Sequence, residues 1–81
     1  MQYSEIYANR IIGLCARRKI TINHLAYLCG LKQSTIDNII HGKSKNPTVL
    51  TLHKISLAFN MTLSEFLDFP ELNNYNVEND E

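Results

Sequence analysis

Residues 21–43 read T-I-N-H-L-A-Y-L-C-G-L-K-Q-S-T-I-D-N-I-I-H-G-K, two short apolar-periodic runs on either side of one glycine. In the first run Leu25, Leu28 and Cys29 fall at i, i+3 and i+4, the spacing of one helix face. Thr21 stands where an N-cap hydroxyl accepts an orphan backbone N–H. Gly30 follows directly, where a chain leaving a helix needs a left-handed residue that glycine adopts cheaply. In the second run Ile36, Ile39 and Ile40 repeat the spacing, and the run stops at His41-Gly42.

Ala26 decides how the two runs meet. A small residue four positions before the turn glycine lets two helices cross closely, and Ile36, six positions beyond Gly30, lies over the crossing. That spacing predicts a helix-turn-helix, whose second helix enters the DNA major groove. The second helix, at about 32–40, carries Lys32, Gln33, Ser34, Asp37 and Asn38 off its isoleucine stripe. These are side chains that address base edges and phosphates. Every amphipathic helix has a polar face, so the weight rests on its combination with Ala26, Gly30 and Ile36.

An 81-residue chain with 44% apolar residues, 3 Gly and 2 Pro reads as one folded, mainly helical domain. The apolar runs are far short of a membrane span and no signal segment opens the sequence, so the expectation is a soluble, cytoplasmic protein. Net charge is zero, which at first argues against a nucleic-acid partner. Its distribution reverses that: through residue 61 eight bases face Glu5 and Asp37 for a net +6, and from residue 62 six acids face no base. A basic working face and an acidic end kept away from it follow, against the plainer reading of a solvated charge mosaic. Cys15 and Cys29 are expected as buried small hydrophobes in a reducing compartment. Cys15, His24, Cys29 and His41 are too widely spaced for a zinc site, so no metal or cofactor is expected.

Residues 4–18 read as a first helix, capped by Ser4, with Tyr7, Ile11, Leu14 and Cys15 as its core stripe. Ile6 and Ile12 look surplus to a small core. Arg17, Arg18 and Lys19 crowd the helix end, where its dipole favours cations. After the two central helices, residues 42–47 (G-K-S-K-N-P) form a turn by composition, placed to run along a sugar-phosphate backbone or simply to be a polar loop. A fourth helix over 48–59 has Thr48 as cap and Val49, Leu52, Ile55 and Phe59 as core face, leaving Leu50 and Leu57 for self-association. Thr62-Leu63-Ser64-Glu65 fits a capping box opening a fifth helix, whose Leu63, Phe66 and Leu67 close the core with Met61. Pro70 is expected to end it. The domain thus spans 1–69, and the acid- and asparagine-rich residues 70–81 form a tail, from which Tyr75 and Val77 could dock.

From about Tyr7 to Leu67 the chain resembles the phage repressor and Cro-like (XRE-type) helix-turn-helix regulators. The resemblance is carried by I-T-I-N-H-L-A-Y-L-C-G-L-K-Q-S-T-I-D-N-I-I-H-G-K and then N-P-T-V-L-T-L-H-K-I-S-L-A-F-N-M-T-L-S-E-F-L. It implies an all-α, compact five-helix, lambda-repressor-like DNA-binding domain with the helix-turn-helix in helices 2 and 3. It also implies binding to double-stranded operator DNA as a homodimer, and repression. Carried over by position, Gln33, Ser34, Asp37 and Asn38 would read bases, and Thr35 and the loop of Lys43, Ser44, Lys45 and Asn46 would hold phosphates; on the DNA-binding reading Lys32 joins the base readers and His41 the phosphate contacts. Three departures stand out. Ile22 occupies the place where the family often grips a phosphate with glutamine. Lys32 stands at an N-cap that is commonly Ser or Thr, and Cys15 and Ile40 replace an arginine–glutamate pair. The joint apolar replacement avoids stranding a lone buried charge.

The alternative is a protein-interaction module, antitoxin-like, that keeps the fold with weak DNA binding and engages a protein partner through Ile22, Leu50, Leu57 and the acidic tail. No catalytic residues are assigned, because no nucleophile, base and orienting group stand in a recognisable relation.

Overall fold

A computed structural model describes residues 2–44 and 46–79. Six α-helices follow one another among them: α1 Tyr3–Arg18, α2 Ile22–Cys29, α3 Gln33–Ile40, α4 Val49–Ala58, α5 Leu63–Leu67 and α6 Pro70–Asn73, then a 3₁₀ turn Val77–Asn79. The all-α, lambda-repressor-like domain is therefore present in its five helices, and α6 adds a short one. Packing of α1 on α3, of α2 on α3 and α4, and of α4 on α5 surrounds a single core.

Helix starts follow local chemistry. Thr21 Oγ1 accepts from His24 N at 3.0 Å, and Thr48 Oγ1 from Thr51 N at 3.1 Å. At α5 the capping box is complete: Glu65 N donates to Thr62 Oγ1 at 3.0 Å and Thr62 N donates to Glu65 Oε1 at 2.8 Å. Ser4, however, is not a cap. α1 begins a residue earlier with Gln2 at the N-cap, and Ser4 is buried within the first turn, facing the turn glycine Gly42.

The first four helices all end by one device, a paired 6→1 and 5→2 backbone closure around a left-handed residue. In α1 Ile20 N donates to Cys15 O and Lys19 N to Ala16 O; in α2 Leu31 N donates to Ala26 O and Gly30 N to Tyr27 O. The corresponding bonds at α3 run from Lys43 N to Asn38 O and from Gly42 N to Ile39 O, and at α4 from Met61 N to Ser56 O and from Asn60 N to Leu57 O. Lys19, Gly30, Gly42 and Asn60 carry φ of 55°, 67°, 71° and 58°. Behind three of these turns the next residue, Ile20, Leu31 or Met61, packs back on the core, as this motif favours. Behind the fourth stands Lys43.

Core positions follow the periodicity with instructive exceptions. Tyr7, Ile11, Leu14 and Cys15 are buried as the stripe requires, and so are Leu25, Cys29, Ile36, Ile39, Leu52, Ile55 and Phe59. Ile6 is not surplus: it is fully buried, whereas Ile12 is exposed. Leu28, expected on the core face, is 46% exposed, because burial of Ala26 rotates the inward face of α2 onto residues 25, 26 and 29 and leaves position 28 at its edge. Val49, also expected inward, is 67% exposed. It is the first residue of α4, and side chains lean toward a helix N-terminus, so it projects past the end of the core.

Cys15 is buried and Ile40 packs against the core, so the apolar pair occupies the place of the family's ion pair without leaving a charge behind. Ile22 likewise packs against the core. Pro70 does not end α5, which stops at Leu67; it opens α6, where its fixed φ suits the first helical position. Phe69, just before it, is buried. Arg10 secures this end of the chain. Its Nε and Nη2 donate to Phe66 O and Glu65 O, both at 3.1 Å, and its guanidinium lies 5.0 Å from the Phe69 ring centroid and 5.8 Å from that of Phe66. Tyr75 docks on the body, its ring edge-on to Tyr3 at 5.1 Å, while Val77 does not and stands 67% exposed.

Candidate nucleic-acid interface

The second helix of the motif is anchored from below and open above. Ile36 and Ile39 are buried, and Ile40 packs against the core. That anchorage leaves Lys32, Gln33, Ser34 and Asn38 exposed and Thr35 and Asp37 half-buried. All five side chains expected to read bases therefore belong to one short helix and its N-cap. Lys32 occupies the N-cap with no side-chain hydrogen bond to the helix, so the first-turn amides of α3 lack the side-chain acceptor that a serine or threonine would supply.

Gln33 and Asp37 are not independent. Gln33 Nε2 donates to Asp37 Oδ1 at 2.9 Å, one helical turn along. A pair of this kind on an exposed helix contributes about 0.2–0.5 kcal/mol, whereas a bidentate contact to the correct base discriminates by about 1–3 kcal/mol. The bond orients the amide without locking it. It leaves the Gln33 carbonyl oxygen and one amide hydrogen directed elsewhere.

His41 is more committed than its sequence position suggests. Its Nδ1 lies 2.7 Å from Asp37 O. A carbonyl only accepts, so Nδ1 carries the proton and the ring caps the end of α3. Donation from Nε2 to a phosphate then requires a second proton on the ring. Lys43 is arranged differently: its backbone N–H is held by Asn38 O at 2.9 Å, and its side chain is exposed. Ser44 N also donates to Asn38 O, at 3.2 Å, which keeps the start of the loop close to α3. Asn46 is exposed, Ser44 is half-buried, and Lys45 lies outside the described residues.

One residue of α2, Tyr27, carries no expectation from the sequence, whereas His24 is expected at the surface. Tyr27 is 80% exposed, and His24 stacks on it at 6.3 Å with planes 25° apart. Their i, i+3 spacing on the polar side of a helix containing Ala26 was the signal that could have found the stacked pair. The two cysteines are free and buried; burial pushes the Cys15 thiol up and the Cys29 thiol up to about 11. Among the described residues no group of three His, Cys, Asp or Glu side chains is placed to hold a metal ion, and no helix is long and apolar enough to cross a membrane.

Against known proteins, the model of the Cro/C1-type HTH DNA-binding domain matches residues 10–71. Among solved structures, the crystal structure of the prophage Lp1 protein 11 superposes with a TM-score of 0.81 at 33% identity, over 93% of this chain and all of that one. A HTH_3 family transcriptional regulator from Vibrio cholerae superposes with a TM-score of 0.72 at 26% identity, over 89% of this chain. This chain corresponds to 38% of the Vibrio protein's length. No curated protein matches significantly. The helix-turn-helix geometry and the family match over residues 10–71 lead to one assignment: the chain belongs to the family of Cro/C1-type helix-turn-helix DNA-binding domains.

Proposed function

We propose that this protein is a cytoplasmic, sequence-specific transcriptional repressor that binds operator DNA as a homodimer and reads the major groove with α3. The observation that carries the reading is the exposed polar face of α3 on a helix fixed to the core by Ile36 and Ile39. Lys32, Gln33, Ser34, Asp37 and Asn38 face base edges; Thr35, His41, Lys43, Ser44, Lys45 and Asn46 hold phosphates. Gln33 is the principal reader, since an amide pairs bidentately with adenine, and Asp37 presets its orientation. Leu50 and Leu57, seven apart on α4 and 64% and 60% exposed, supply the surface for self-association.

Selection from a pool of random duplexes at about 100 mM salt, followed by a salt series on the enriched sequences, tests this. The expected result is a palindromic motif with log affinity falling steeply against log salt. Gln33→Ala then relaxes discrimination at one base position by about 1–3 kcal/mol. Unchanged sequence preference in that variant refutes the assignment of Gln33.

Ile22 packs inward and cannot grip a phosphate, and the two exposed leucines favour a second reading as a protein-interaction module with weak DNA binding. Flat enrichment would select it, together with concentration-dependent self-association or with binding to a protein partner that Leu50→Glu abolishes.

A further inference from the structure

α3 carries one side chain that attraction to phosphates does not explain. Through residue 61 the chain holds eight bases and only two acids, Glu5 and Asp37. Glu5 stands in the first turn of α1, where a carboxylate suits the helix dipole. Asp37 lies instead in the body of α3, half-buried on the face left open by Ile36 and Ile39. A negative charge there opposes approach to the DNA backbone. Its bond to Gln33 is not a sufficient reason for it, because an asparagine would accept the same bond without the charge.

The geometry of the pair determines which atoms face outward. Gln33 Nε2 lies 2.9 Å from Asp37 Oδ1. A carboxylate only accepts, so the group turned toward it is the amide nitrogen and not the amide oxygen. Gln33 keeps its Oε1 and one N–H, the acceptor and donor that match adenine N6 and N7. Asp37 Oδ2 has no hydrogen-bond partner among the described residues, and Asp37 forms no ion pair among them. The two side chains are joined at 2.9 Å, close to the roughly 3.4 Å rise between stacked bases, so their outward atoms meet neighbouring base pairs.

Major-groove chemistry then restricts what Oδ2 can meet. Guanine shows only the N7 and O6 acceptors there, and thymine shows O4 and a methyl group, so each sets an acceptor or an apolar group against an acceptor. Adenine offers its N6 amino group but places the N7 acceptor beside it. Cytosine offers the N4 amino group with no acceptor of its own beside it.

We propose that Asp37 is a specificity-determining residue: Oδ2 reads cytosine at the base pair next to the adenine read by Gln33, while Oδ1 keeps the glutamine amide turned for adenine. The inference rests on the reading of α3 as the major-groove helix. It gives a charge that weakens general affinity the role of excluding guanine and thymine.

The test is selection from random duplexes by wild type, Gln33→Ala and Asp37→Asn, followed by titrations on the enriched duplex carrying single base-pair replacements. Wild type should enrich an A·T pair that Gln33→Ala no longer selects and, next to it, a C·G pair that Gln33→Ala still selects. This comparison needs no Asp37 variant, so it decides the point whether or not Asp37→Asn folds well. Replacing that cytosine by thymine exchanges an amino donor for a carbonyl acceptor and should weaken wild-type binding by about tenfold or more. Asparagine donates as well as accepts, so Asp37→Asn should separate cytosine from thymine by no more than about twofold. It should also bind every duplex more tightly and lose part of the adenine preference. A wild-type motif with no cytosine beside the Gln33-dependent pair, or a cytosine preference that survives in Asp37→Asn, would overturn the proposal and leave operator binding standing. Absence of any enriched motif would sink the DNA reading, and this inference with it.

Discussion

Replacing Arg10 by alanine should destabilise the domain by about 2 kcal/mol. The Arg10 Nε and Nη2 donate to Phe66 O and Glu65 O at 3.1 Å. These are carbonyls in the last turn of α5, a helix of five residues too short to satisfy most of its own acceptors. A hydrogen bond from a charged donor contributes roughly 1.5–3 kcal/mol when shielded. The bond to Phe66 O is partly buried and that to Glu65 O is exposed, so the first supplies most of this and the second little. The guanidinium at 5.0 Å from the Phe69 ring adds about 0.5–1 kcal/mol at an exposed site. Ordering a long side chain takes back about 1–2 kcal/mol, leaving a net near 2. For a chain of this size that corresponds to a fall in thermal midpoint of roughly 8–16 °C. Urea denaturation of Arg10→Ala and Arg10→Met, with hydrogen exchange of the α5 and α6 amides, is the assay. Methionine keeps the apolar stem and removes the fork, so it should recover only a small part of the loss, and exchange should accelerate most in residues 63–74. An Arg10→Met protein within about 0.5 kcal/mol of wild type would refute the reasoning, because water would then serve those carbonyls as well as the guanidinium does.

Gly13→Ala should stabilise the protein by about 0.5–1 kcal/mol, since the added Cβ meets nothing; a lower urea midpoint would show a hidden steric demand. Thr62→Ala should cost about 1 kcal/mol through loss of the cap, read from the same denaturation curves. The cap also holds the exposed Glu65 carboxyl below its ordinary range, chiefly through the Thr62 backbone N–H. A depressed carboxylate contributes stability above its unfolded pKa and loses it as pH falls through the folded value, so Glu65→Gln should flatten part of the acid limb. At the other extreme, burial raises the Cys29 thiol to about 11 and raises Cys15 and Tyr7 as well. A group held protonated in the folded state favours unfolding once the unfolded chain ionises, so stability should decline above roughly pH 8.5. Native protein at pH 8 should also resist thiolate-selective labelling, and rapid labelling of both cysteines without unfolding would contradict the burial.

Much of the architecture was written in signals that span four residues or fewer. Thr21, Thr48 and the Thr62–Glu65 box start helices by bonds to amides three positions away. Gly30 and Gly42 end them because the left-handed conformation is cheapest there. Such bonds form in the same way whatever the rest of the chain does, which is why α2, its turn and α3 could be located from residue spacing. The exposed set on α3 follows from the same periodicity once Ile36 and Ile39 are taken as the buried stripe.

Where the signal depends on contacts distant in sequence, reading stopped short. Lys19 and Asn60 end helices in the left-handed region with no glycine to announce them, and there the closing bonds are accompanied by Ile20 and Met61 packing on the core. Ile6 looked surplus and is buried, while Val49 fitted the stripe and is exposed, because each depends on where the core ends and not on the period of its helix. The bond from Arg10 to Phe66 O crosses 56 positions, and a groove beside it exists only once α6 lies against α1. The helix-turn-helix and the face it presents were legible in the residues themselves, since both rest on local geometry. How residues 62–79 close on α1 emerged only in three dimensions, because no residue there carries a local sign of the partner it meets.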